Sequence, residues 1–230
     1  MNETPPYESR MSRGQTVAAL LWLPAHCLLL PVLAGIPLAL GLVDEVTANL
    51  LVYAVDLAFL LPVLGSFLRR DFDILCDHPF AVLLFVIGGY LVSRYGAILV
   101  SLLLSALSLE GTGGNNEELI DMAKTAFNRT AAMAVFLAPL TEELLFRGAV
   151  FGSIRRKSRL LAYLVSAPLF ALYHVWFYAL VDPMQLLYAL QYLPAALVLA
   201  YLYDRTDCIW TSVFLHMLIN AAAVLASLSL

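Results

Sequence analysis

Charge is scarce in this sequence. Only 13% of its 230 residues are charged, 13 of them Lys or Arg and 17 Asp or Glu. A water-soluble domain keeps about a quarter of its residues charged, so most of this chain's surface must face lipid. The net charge of -4 has no concentrated basic block beyond one short run, which leaves nucleic-acid binding without a footing. Cysteine is scarce too. Cys27, Cys76 and Cys208 are odd in number and scattered, without disulfide or metal spacing, and read as small apolar filler. Also missing are internal repeats, low-complexity tracts, a soluble domain and the period-2 alternation of exposed strands.

What fills the chain is apolar residue, 62% of it. Stretches long enough to cross the hydrocarbon core of a bilayer recur near 16–43, 48–68, 79–106, 130–152, 160–180, 184–203 and 209–229. Helices are the spanning element, because an open sheet edge cannot sit in lipid. The expected fold is therefore all-α: a polytopic transmembrane bundle of about seven spans, read as one integral membrane domain over 1–230. Arg10 and Arg13 precede the first run as they would in a signal peptide, but that run is too long for one and reads as the first span. Pro24, Pro31 and Pro37 should bend it. The longer connection from Ser108 to Arg129 opens with Gly111, Gly113 and Gly114 and continues as a short amphipathic helix before the fourth span.

Positive charge in short loops marks the cytoplasmic side. Arg10 and Arg13, then Arg69 and Arg70, then Arg155, Arg156, Lys157 and Arg159 fall on alternate connections. The first and fifth loops hold only Asp44, Glu45 and Asp182. The N-terminus is expected inside and the C-terminus on the opposite side.

Ionisable groups inside spans are costly, and each is a functional candidate. The fourth span carries Glu142-Glu143-Leu144-Leu145-Phe146-Arg147. Glu143 and Arg147 are i,i+4 neighbours in the favourable order. Glu142 lies about 100° around the helix and lacks that partner, which leaves it free for acid/base chemistry. The fifth span carries Phe170 and His174, the seventh His216 and Asn220 on one helix face. Asp56 and Arg94, at matching depth in the second and third spans, suggest a structural ion pair. Counting 1.5 Å per residue puts Glu142 and His216 at similar depth and His174 deeper. Asn2-Glu3-Thr4 and Asn128-Arg129-Thr130 match the glycosylation pattern, most simply by chance.

The ordered trio Glu142-Glu143-x-x-x-Arg147, Phe170-x-x-x-His174 and His216-x-x-x-Asn220 resembles the three motifs of the CPBP family. These are the CAAX protease and bacteriocin-processing, or Abi, proteins, which include the CAAX endoprotease of the Ras-converting type. The resemblance covers about 115–225. It implies an intramembrane endopeptidase in which Glu142 and His174 activate a water while His216 and Asn220 stabilise the oxyanion. Glu143, Arg147 and Phe170 would be supporting residues. No cofactor is required by these residues. A divalent metal such as zinc is admitted, with Glu142, His174 and His216 as its ligands, although Asn220 beside His216 suits an oxyanion better. The expected partners are the bilayer and a peptide or lipidated protein substrate. Two other readings stay open, a proton-coupled transporter using the same carboxylates and histidines and a non-catalytic immunity or binding member of the family.

Overall fold

A computed structural model of the chain describes residues 9–109 and 113–229; Asn2-Glu3-Thr4 and Gly111 lie outside them. The described residues are helical, and no strand occurs among them. Helix α1 spans Arg13–Ala39, α2 Glu45–Asp77 and α3 Pro79–Ala106. The amphipathic α4 covers Gly114–Ala131 and runs on into α5, residues 132–155. Then follow α6, Arg159–Tyr173; α7, Trp176–Ala179; α8, Gln185–Thr206; and α9, Ile209–Ala226. Five of these, α1, α2, α3, α8 and α9, are long and apolar enough to cross a membrane, and the molecule is an all-α membrane bundle.

Local chemistry sets several boundaries. Ser12 and Gln15 form a reciprocal capping box at the start of α1. Asp44 and Ser158 cap α2 and α6 by accepting from backbone N–H groups three residues on. Two π-helical turns, Ala25–Leu29 and Ala132–Leu137, come just before Pro31 and Pro139, whose missing N–H loosens the ladder.

Two expected spans take a different form. The segment near 130–152 is wound in alternating π and α turns, and every residue from 141 to 152 is buried. It is the bundle's central helix, enclosed by protein rather than lipid, a difference that apolar composition does not register. The segment near 160–180 breaks after Tyr173, leaving His174 at a helix end and a single turn, α7, beyond it. Close approach elsewhere needs small residues. A methyl group on Gly96 would stand 2.7 Å from Pro194 on α8, and one on Gly148 2.5 Å from Met11.

The expected pair between Asp56 and Arg94 does not form. Arg94 is on the exposed face of α3, whereas Asp56 is fully buried and turned toward α1. Its Oδ1 accepts from Trp22 Nε1 at 2.8 Å, and its Oδ2 lies 2.8 Å from His26 Nδ1. Rise per residue gives a side chain's height but not the direction it faces around the helix, and here the two faces diverge.

One end of the bundle is drawn together by a polar knot. Ser9 N donates to Asp207 and Ser9 Oγ to Asp71, at 3.0 and 2.6 Å. The Tyr203 hydroxyl donates to Ser9 O at 3.2 Å, and Arg155 donates to Ser9 O and Asp207. The three cysteines are free thiols. Burial pushes the Cys208 thiol, in the connection before α9, up to about 11.

Candidate active site

Four elements converge on Glu142. The central helix α5 brings Glu142, Glu143 and Arg147, the end of α6 brings Phe170 and His174, α9 brings His216, and α2 adds Tyr53. Glu142 is 3% exposed and His216 5%, so charge here is screened by protein rather than by water.

The neighbouring carboxylates have separate partners. Glu143 Oε1 stands 3.2 Å from Arg147 Nη1 and 2.9 Å from His216 Nδ1. Arg147, completely buried, also donates to Ala196 O at 3.2 Å and lies 4.0 Å over the Phe170 ring. Glu142 Oε1 accepts from the Tyr53 hydroxyl at 3.0 Å, while its Oε2 has no hydrogen-bond partner among the described residues. That oxygen lies 3.7 Å from His174 Nε2 and 3.9 Å from His216 Nε2.

The imidazole tautomers follow from the far side of each ring. His174 Nδ1 is 2.8 Å from the Phe170 carbonyl, an acceptor, so Nδ1 carries a hydrogen. His216 Nδ1 faces Glu143, a carboxylate already beside Arg147, and carries one too. In neutral rings both Nε2 atoms are then lone pairs, and three acceptors converge on one point. The separations exceed a hydrogen bond. A donor among the three, an added imidazole proton or the hydrogens of a water, satisfies such an arrangement.

Phe170 joins these parts. Its carbonyl fixes His174, its ring supports Arg147, and it meets the His216 ring edge-on at 5.7 Å. Asn220 is not brought into contact with Glu142. It lies one turn along α9 from His216, and its amide donates to Ala134 O at 2.8 Å. Glu142, His174 and His216 do not close on a common metal position, and no group of three such side chains does so among the described residues.

Three contributors carried no signal in the sequence. Tyr53 reaches Glu142, Tyr192 stacks on His174 with ring centroids 4.4 Å apart, and Tyr173 packs beside Phe146. Aromatic residues are ordinary in apolar spans, so nothing in their spacing sets these apart.

The family profile described as type II CAAX prenyl endopeptidase Rce1-like matches residues 126–222. Two curated relatives are similar to shorter parts of the chain. YdiL of Bacillus subtilis, described as a candidate membrane peptidase, is 24% identical over 148 residues, 64% of this chain and 57% of its own length. The UPF0177 protein YxdF of Lactococcus lactis is 36% identical over 84 residues, 36% of this chain and 42% of its own. The chain thus spans about half the length of the curated relatives it matches. No solved structure matches it significantly. The matched segment carries Glu142, His174, His216 and Asn220, and over it the chain is similar to the Rce1-like, CAAX-protease family.

Proposed function

We propose that this protein is an intramembrane endopeptidase whose catalytic core lies within about 115–225, and that it hydrolyses a peptide bond of a membrane-associated, prenylated or precursor substrate. The observation that carries this reading is the convergence of Glu142 Oε2 with the two Nε2 atoms at 3.7 and 3.9 Å. A water held there gives a proton to Glu142, assisted by His174, and its oxygen attacks the scissile carbonyl carbon. The Tyr53 hydroxyl occupies Oε1, which leaves Oε2 as the oxygen that faces the water.

The carbonyl oxygen becomes an oxyanion as the carbon turns tetrahedral. His216 donates to it from Nε2 as an imidazolium, since Nδ1 already serves Glu143, whose carboxylate supplies the counter-charge at 2.9 Å. Asn220 keeps a second amide hydrogen beyond the one given to Ala134 and is the other donor. Collapse breaks the C–N bond, and the proton taken up by Glu142 passes to the leaving amine. No step is routed through a metal. The charge of the loops puts the N-terminus in the cytoplasm and the C-terminus on the opposite side.

The test is cleavage of a farnesylated peptide and its unlipidated counterpart by protein purified into liposomes. Wild-type protein should cut at least one of them, while Glu142→Ala and His174→Ala fold normally and cut neither. Turnover equal to wild type in either folded variant refutes the assignment. Preference for the farnesylated peptide identifies the lipid as part of what is recognised.

A further inference from the structure

His26 and Asp56 lie outside the segment 126–222, and the reaction above leaves them unused. Both are buried, at 1% and 0% exposure, in helices long and apolar enough to cross a membrane. Buried ionisable groups in spans are costly and persist where they are paired or functional. Asp56 is satisfied at both oxygens by N–H donors, Trp22 Nε1 and His26 Nδ1. Because an ionised carboxylate is an acceptor only, His26 is held by one edge of its ring. Its other nitrogen, Nε2, is buried and has no partner among the described residues. The π-helical turn Ala25–Leu29 carries His26, and an inserted turn of this kind shifts the face that a side chain presents.

That ring leans toward the candidate active site. It lies 5.0 Å from the ring of Tyr173 and 6.0 Å from that of Tyr53. The two tyrosine hydroxyls interact with each other, and the Tyr53 hydroxyl donates to Glu142 Oε1. Asp56, His26, Tyr173, Tyr53 and Glu142 therefore form a series of buried and half-buried side chains drawn from α1, α2, α5 and α6. Tyr173 also packs edge-on against the His174 ring, with centroids 5.1 Å apart.

We propose that His26, held by Asp56, is a positioning residue for Glu142. It backs Tyr173 and Tyr53 so that the Tyr53 hydroxyl stays on Oε1, which keeps Oε2 turned toward the two histidines. The proposal rests on the hydrolytic reading of Glu142, and it gives the N-terminal helices a part in the site that the matched segment alone does not supply.

The experiment is a double-variant cycle in liposomes with His26→Ala, Tyr53→Phe and both together. Misplacing a reacting group at a preorganised site costs roughly ten- to a hundredfold in rate. His26→Ala should therefore lower kcat by about that factor with KM little changed, because positioning acts on the chemical step. Tyr53→Phe should do the same, and the double variant should be no slower than Tyr53→Phe alone, because His26 acts through that hydroxyl. Losses that multiply, a KM effect alone, or a folded His26→Ala with wild-type kcat would each overturn the proposal. His26→Gln, which keeps a donor toward Asp56, should recover part of the rate, and it replaces His26→Ala in the cycle if that variant does not fold. Turnover no higher in wild type than in Glu142→Ala would sink the hydrolytic reading instead. The coupling is then read from thermal unfolding in detergent. His26→Ala must lower the midpoint less in a Glu142→Gln background than in wild type, and equal shifts count against positioning.

Discussion

Glu142 and Glu143 are adjacent in sequence yet meet different surroundings, because neighbouring residues on a helix face about 100° apart. Glu143 turns to Arg147 and His216, while Glu142 turns to Tyr53 and the two Nε2 atoms. The Glu143–Arg147 pair should behave as a structural support. Replacing Arg147 by Ala leaves a fully buried carboxylate short of its counter-charge, and breaking such a pair costs about 3–5 kcal/mol. Arg147→Ala should therefore lose yield and unfold at a lower temperature in detergent, and a variant as stable as wild type would show the pair to be dispensable. The metal question belongs at the same scale. With no metal in the proposed steps, protein treated with a chelator and then found metal-free by elemental analysis should keep its activity. Activity lost with the metal and restored by stoichiometric zinc would overturn that. The i,i+4 spacing of Glu143 and Arg147 was legible in the sequence because it needs only helical geometry. The partner of Asp56 was not, since which of several buried polar groups faces another depends on how whole helices are rotated.

At the scale of elements, the apolar runs marked where helices lie but not how they are wound. The break at His174 has no glycine or proline at the break itself; Pro168 lies inside α6 and does not end it. The π turns over 143–151 likewise fall where α5 is buried on every side, with no proline among them. Elements are also tied by exposed groups, and here pH enters. Arg129 on α4 grips Asp44, the cap of α2, with 3.1 and 2.8 Å hydrogen bonds. The Arg129 hydrogen bond, first, and those from Thr47 hold the Asp44 carboxyl well below its usual range. A depressed carboxyl contributes fully above its unfolded value, about 4, and the contribution fades only as pH falls through the folded one. The Thr47 amide should thus show the same hydrogen-exchange protection factor at pH 7 and pH 5. In Arg129→Ala that protection should begin to fail near the ordinary carboxyl range, about pH 4. Equal acid behaviour in both proteins would show that Arg129 does not set the cap's strength.

Over the whole molecule, the loop charges imply an orientation that labelling can check. A cysteine introduced beside Lys157 should react only with reagent reaching the cytoplasm, and one beside Asp182 only with external reagent; the reverse pattern would invert the proposed topology. Ser9, Asp71, Arg155 and Asp207 all meet at one end, as the inside loops of that topology would. The same knot bears on the order in which the chain assembles. Ser9 is bonded to Asp207 across 198 residues and to Tyr203 across 194. A chain entering the bilayer from its N-terminus has threaded nearly every helix before those partners exist. Until then Arg155, whose side chain is 1% exposed in the finished bundle, has neither Asp207 nor a seated Ser9 carbonyl to satisfy it. Contacts of such long range form late. The segment around Ser9 is therefore the first made and among the last to be fully locked, whereas α1 behind it is tied early to α2 through Asp56.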